Sequence, residues 1–364
     1  MKEHVFIIAI IMVFLASCDL AKQSIDKEKS TRIETGKLIS EVKSVKLGKI
    51  PASAEIVYHS GGALPGGGGS YIFVMDKNGN TVTQITFETP RNYEHAAVSY
   101  DKRRIVANEI RPEPSGTRSI LWLYDLVEGA EANLVPEFYS AGGCGMDWDP
   151  DGYIYFAAHE KKVEITSPDD IANVGRLIEI YRIKFDGTDL KKLTDTVGSL
   201  EADVSVSEDG DLVASANAVA VGTPQEHPEI WVMNSDGTNS RSVHKGGPRG
   251  SATEGAHDPE ISPDNKKVVF SKVNNDVPPN WPDIPGLNTA HDIWIANLDG
   301  TGLTRVTKPG SISIIPDWQG NLIVFTELNE KDNYKGASII NMDGTGYKRI
   351  KAGANSPKWI PKKK

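Results

Sequence analysis

Between Tyr71 and Ile360 the chain alternates short apolar runs with tight polar breaks, and the same two kinds of break keep returning. Runs such as Ile154 to Ala157 and Val268 to Ser271 are too short for helices. They are rich in β-branched and aromatic residues, which predicts buried strands. The first break centres on a glycine: Gly79, Gly129, Gly187, Gly237, Gly300 and Gly344. Six residues after each stands an aliphatic side chain: Ile85, Val135, Leu193, Val243, Val306 and Ile350. Six residues before four of them stands an aromatic: Phe73, Tyr181, Trp231 and Trp294. Equal offsets on both sides of a turn fix the strand register, because a slip of one residue would reverse every inward face. Asp-Gly or Asn-Gly at five of the six turns predicts two-residue hairpins with positive φ.

The second break alternates with the first. It reads Ser99-Tyr100-Asp101-Lys102, Asp149-Pro150-Asp151-Gly152, Ser207-Glu208-Asp209-Gly210 and Ser262-Pro263-Asp264-Asn265, with a shorter Trp318-Gln319-Gly320-Asn321. Two hairpins per unit make a four-stranded sheet, and units of roughly 45–60 residues are the mark of propeller blades. The last unit stops at an unpartnered strand, Asn355 to Ile360, and the missing partner fits Ala54 to His59. The expected fold is therefore an all-β, six-bladed β-propeller of four-stranded blades over 49–364, its last blade closed by the N-terminal strand of the domain. Closure of this kind removes the exposed edges an open ring would leave.

Upstream of the repeats the pattern changes. Val5 to Leu15 is one unbroken apolar run of eleven residues, too short for a hydrocarbon core of about 30 Å, and it reads as the core of a signal peptide. It ends in Leu15-Ala16-Ser17-Cys18, which resembles the lipobox of bacterial lipoproteins. That resemblance implies a signal peptide over 1–17 and an acylated Cys18 as the first residue of the mature protein. Residues 19–48 are polar, charge-mixed and poor in aromatics, as a flexible tether would be. The expected location is the bacterial cell envelope, lipid-anchored, facing the periplasm or the cell surface. The only other cysteine, Cys144, then has no disulfide partner and is expected to be a small strand residue.

The stretch Ile-Trp-Val-Met-Asn-Ser-Asp-Gly-Thr (Ile230 to Thr238), followed by Ser-Pro-Asp-x-Lys-x-Val-Val-Phe (Ser262 to Phe270), resembles the repeat of the TolB-like propeller family. The resemblance runs from about Ile50 to Ile360. It is expected to stop at the propeller, since TolB-type proteins carry a further N-terminal α/β domain that thirty tether residues do not replace.

Strand order places the candidate site. If each blade runs from its inner strand outward, the long connections and the starts of the inner strands share one face. Glu94, His95, Asp203, His257 and Asp258 are expected to converge there on the channel mouth and to stay solvated. The longer loops fall on the same side, including the proline-rich stretch that offers Trp281. A divalent metal in the central channel is one occupant that His95, His257, Asp203 and Asp258 would suit. Asp147, Asp149 and Asp151 mimic the start of a calcium loop, but the position that needs a bidentate Glu is Ala158.

Chemistry narrows the functions without naming one. A net charge of −9 argues against nucleic acid as a partner. No nucleophile elbow, paired-cysteine motif or zinc-helix motif is present. The reading that follows is a non-catalytic scaffold for a protein or peptide of the envelope. The alternatives are a glycan or small-molecule binder and a metal-assisted enzyme like the polysaccharide lyases that resemble this propeller.

Overall fold

A computed structural model of the chain describes 40, 42–61, 69–88, 90–113, 116–162, 177–196, 199–221, 223, 226–247, 255–274, 290–308, 310–329 and 331–362. Cys18, the signal segment and Trp281 lie outside the described residues, and of Cys144 only the backbone is described.

After a short strand β1 (Lys43–Ser44) come β2 (Ile56–Ser60), β3 (Tyr71–Met75) and β4 (Thr83–Gln84). The next blade is β5 (Tyr93–Val98), β6 (Arg104–Glu113), β7 (Gly116–Asp125) and β8 (Ala130–Asn133). It is followed by β9 (Ser140–Trp148), β10 (Tyr153–His159), β11 (Glu179–Lys184) and β12 (Lys191–Lys192). Then come β13 (Leu200–Val206), β14 (Leu212–Val219), β15 (His227–Asn234) and β16 (Arg241–Lys245). A fifth set is β17 (His257–Ile261), β18 (Lys267–Asn274), β19 (Ala290–Asn297) and β20 (Thr304–Arg305). The last is β21 (Ile312–Gln319), β22 (Leu322–Asn329), β23 (Tyr334–Asn341) and β24 (Lys348–Ala352), before the final strand β25 (Asn355–Trp359). Five of these groups run outward or inward in chain order as antiparallel sheets, and the sixth sheet is β25-β2-β3-β4. The two chain ends therefore share one blade, with Ile56 opposite Trp359 and Val57 opposite Lys358.

The apolar cores lie between blades. Ala97, Val106 and Leu121 pack with Met146, Phe156 and Tyr181 across one cleft. Ile56, Tyr58 and Met75 pack with Val324, Ile339 and Trp359 across the closing one. Each sheet buries both faces against its neighbours, so the ring shares six such cores instead of one centre.

The glycine turns differ from the expected two-residue form. In the fourth of these turns Asn234 N–H donates to Thr238 O at 2.9 Å, and Gly237 N–H to Asn234 O at 2.9 Å. Three residues lie between the pair, and only the glycine is left-handed, at φ 90°. This is a type I turn closed by a glycine bulge. Asp236 Oδ1 accepts the Thr238 N–H at 2.9 Å, which explains the Asp without demanding positive φ of it.

The tether boundary also moves. Lys43 pairs with Glu131 and Ser44 with Ala130, so β1 adds a fifth strand outside β8. Val45 N–H bonds Gly129 O and Gly48 N–H bonds Ile85 O, both at 2.8 Å. Residues 43–48, expected in the tether, belong to the propeller surface and cover an edge that would otherwise offer unpaired backbone.

Candidate functional site

Six inner strands (β5, β9, β13, β17, β21 and β25) surround the axis, and each irregularity in their pairing falls near the loop-bearing end. There Gly145, Asp203, Asp258, Ile315 and Ser356 take left-handed backbone, with φ of 99°, 50°, 52°, 53° and 44°. These bulges bring Asp203, Asp258, Ile315 and Ser356 to the channel wall. The channel encloses about 50 Å³. Its walls come from equivalent positions of the six strands, among them His95, Asp203, Asp258, Ile315 and Ser356.

The predicted residues separate here. His95, Asp203 and Asp258 line the channel. Asp203 Oδ2 accepts the Asp258 N–H at 3.2 Å, and Asp258 Oδ2 accepts the Ile315 N–H at 3.1 Å. Asp258 Oδ2 also accepts the Ser271 hydroxyl at 2.7 Å. The two aspartates thus tie consecutive blades together around the mouth. Burial, and next the Asp258 charge, push the Asp203 carboxyl well above the usual range. His95, Asp203 and Asp258 are half-buried at the mouth, so they keep part of the solvation expected of them.

Glu94 and His257 are not in the channel wall. Glu94 Oε2 accepts the Asn108 amide at 3.1 Å, and Asn108 Oδ1 accepts the His95 N–H at 2.7 Å. His257 packs its ring 6.0 Å from that of His291, and burial pushes its pKa down to about 4. His59, on β2 behind the mouth, is pushed down to about 3 by burial and then by nearby His95. The four donors proposed for a metal are thus not gathered. Among the described residues no three His, Cys, Asp or Glu are placed to hold a metal ion.

Sequence reasoning missed a deeper layer. Lys358 Nζ lies 3.1 Å from Asp147 Oδ2, 3.1 Å from Glu260 Oε2 and 3.7 Å from Asp317 Oδ1, so four blades meet on one ammonium. Burial works against that charge, yet Asp147, Asp317 and Glu260 together hold the lysine pKa well above its ordinary value. One cation does not balance three carboxylates, and burial raises the pKa of Glu260 and Asp147. Beyond this layer the Tyr100 hydroxyl donates to Glu208 O at 3.1 Å, spanning the turn-side end of the channel. Burial, then the charge of Asp147, raises that phenol far above its usual range. The signal for the layer was available: Asp147, Glu260, Asp317 and Lys358 hold one repeat position, two residues past the mouth position, and strand residues two apart share a face.

A second cavity, of about 280 Å³, lies under residues 43–47 at the junction of the first two blades. On its floor Arg91 bonds both Glu131 oxygens at 2.7 Å and stacks 3.8 Å above Trp122.

No family model and no curated protein matches the sequence. Solved structures do match the fold. TolB from Acinetobacter baumannii aligns at 16% identity and a TM-score of 0.58, over 86% of this chain and 68% of that one. The putative TolB from Agrobacterium tumefaciens aligns at 15% and 0.55, over 83% and 90%. An oligogalacturonate lyase in complex with manganese aligns at 14% and 0.50, over 86% and 85%. At such identities the likeness is one of fold: the chain is a six-bladed β-propeller, the fold it shares with these TolB structures.

Proposed function

We propose that this protein is a binding scaffold of the bacterial cell envelope, held to a membrane by lipid on Cys18, that docks a protein or peptide on its loop-bearing face without chemistry of its own. The observation that supports this is the difference between the two ends of the channel. The loop end is open and ringed by His95, Asp203 and Asp258, whereas Tyr100 reaches across the turn end to Glu208. The second-to-third-strand loops leave β10 after His159 and β18 after Asn274, at the strand ends on that open side. Recognition in rigid scaffolds concentrates on such loops.

The test is site-specific photo-crosslinking in cells that express the full chain. Reactive residues at Arg111 and Lys161 report on the loop side, and at Thr238 and Thr345 on the turn side. One defined protein adduct from the loop positions only is the expected result. Adducts from the turn positions alone, or none from either side, would overturn the reading; the second outcome fits a glycan occupant. The same cells carrying Cys18→Ser should lose acyl label and membrane association, and retention of both would remove the anchor from the proposal.

A further inference from the structure

Among the described residues the channel lining holds two acidic layers and a single lysine. In the deep layer Asp147, Glu260 and Asp317 share the Lys358 ammonium at 3.1–3.7 Å. In the mouth layer Asp203 and Asp258 form no ion pair among the described residues. Asp203 is half-buried at the mouth and its side chain borders the channel space. Its Oδ2 takes one backbone N–H, and its Oδ1 accepts no hydrogen bond among the described residues. Two carboxylates drawn partly out of water beside one another gain from a cation placed between them.

We infer that the mouth layer receives a primary ammonium from the docked partner, a lysine side chain entering from the loop face onto Asp203 and Asp258. This rests on the reading that the loop face binds a protein or peptide, and it names the chemistry of what enters. The molecule already builds the same arrangement one layer deeper with its own Lys358. The walls beside the pair include Gly145, Ile315 and Pro316, an apolar lining suited to a methylene stem. A compact ammonium with three rotatable donors suits a narrow channel better than a planar guanidinium fork. A divalent ion finds fewer donors here, because each aspartate already commits an oxygen to backbone N–H of the neighbouring blade.

The experiment titrates the purified full chain with the blocked tripeptide acetyl-Gly-Lys-Gly-amide, followed by calorimetry and by NMR. The comparison probes are the same peptide with an acetylated lysine, the arginine peptide, and manganese or calcium chloride. The lysine peptide is expected to bind at millimolar strength and to weaken as salt is raised. Asp203→Asn and Asp258→Asn, each of which keeps an oxygen for its backbone contact, should weaken it at least about tenfold. Asp236→Asn on the turn face should leave it unchanged. Retained melting temperature in each variant separates lost binding from lost folding. Equal binding of the acetylated peptide, undiminished binding by both variants, or no binding by the parent at about 10 mM overturns the inference. Displacement of the peptide by micromolar divalent ion does so too, by making the layer a metal site. Failure here leaves the crosslinking result standing, so the two readings fall separately.

Discussion

His257 is held without its proton: burial pushes the ring down to about 4, against an ordinary value of 6.5. The unfolded chain takes up that proton below pH 6.5, and the folded chain does so only near pH 4. The contribution to stability is therefore complete above 6.5 and is lost as pH falls through the window between the two values. Asp203 and Glu260 act with the opposite sign, because their raised pKa values let the folded chain hold protons more tightly. The His257 effect is thus read as a difference between parent and His257→Gln, measured by urea unfolding at pH 7 and at pH 4.5. The gap should move about 2 kcal/mol in favour of the variant at the lower pH. An unchanged gap would mean that the ring titrates normally. The same residue marks where the sequence could not be followed. Glu94 and His257 were grouped with the channel because they neighbour His95 and Asp258. Which of two adjacent side chains turns inward is decided by a bulge, and among the bulge positions only Gly145, with the two aspartates, hints at left-handed backbone. Ile315 and Ser356 give no such hint, yet they take it.

At the scale of the hairpin, the repeated glycine has a second duty beyond its turn. A Cβ on Gly237 would stand 2.6 Å from Leu193 O, one on Gly300 2.8 Å from Val243 O, and one on Gly344 2.9 Å from Val306 O. One on Gly79 would stand 1.9 Å from Ile350 O. Each of these four turns therefore presses on the backbone of the preceding blade at the aliphatic residue that follows that blade's own glycine, whereas a Cβ on Gly129 would meet Val45 O at 3.2 Å. The fixed offset of six was visible as a register signal; its meaning as a contact between blades was not, since it joins residues in different units. Gly320 separates the two effects, because it is also left-handed, at φ 60°, but has nothing within 4 Å of a new Cβ. Gly320→Ala should cost about 1 kcal/mol for backbone strain alone. Gly237→Ala should cost about 3 kcal/mol, the excess being the clash with Leu193. Equal losses in thermal unfolding would show that the interblade contact yields freely. The strand β1 was illegible for a different reason. Lys43-Ser44 has no apolar alternation, and it is placed by the open edge of β8, a property of the folded blade.

The ring as a whole is closed by a strand that brings its own charge. Closure between the chain ends was legible as simple complementarity: one unit lacked a strand that the start of the domain supplied. What the strand does at the axis was not, because Lys358 sits in an apolar-looking segment and its partners come from three distant units. Trp359 packs into the cleft between the closing blade and its neighbour and donates its indole N–H to Asp317 O at 3.1 Å. Lys358, one residue before it, meets Asp147, Glu260 and Asp317 across the channel. Removing the ammonium leaves carboxylates enclosed with no counter-charge, and losing one partner of a buried ion pair costs about 3–5 kcal/mol. Lys358→Ala should therefore lower stability by about that amount. Adding Asp147→Asn, Glu260→Gln and Asp317→Asn to that background should restore a large part of it, since the neutral amides need no cation. The double-mutant logic distinguishes charge from packing: loss of the lysine stem alone is not repaired by changing acids. Urea unfolding of the single, the triple and the combined variants gives the answer. If the combined variant is no more stable than Lys358→Ala, the deep layer holds the ring by shape and not by charge.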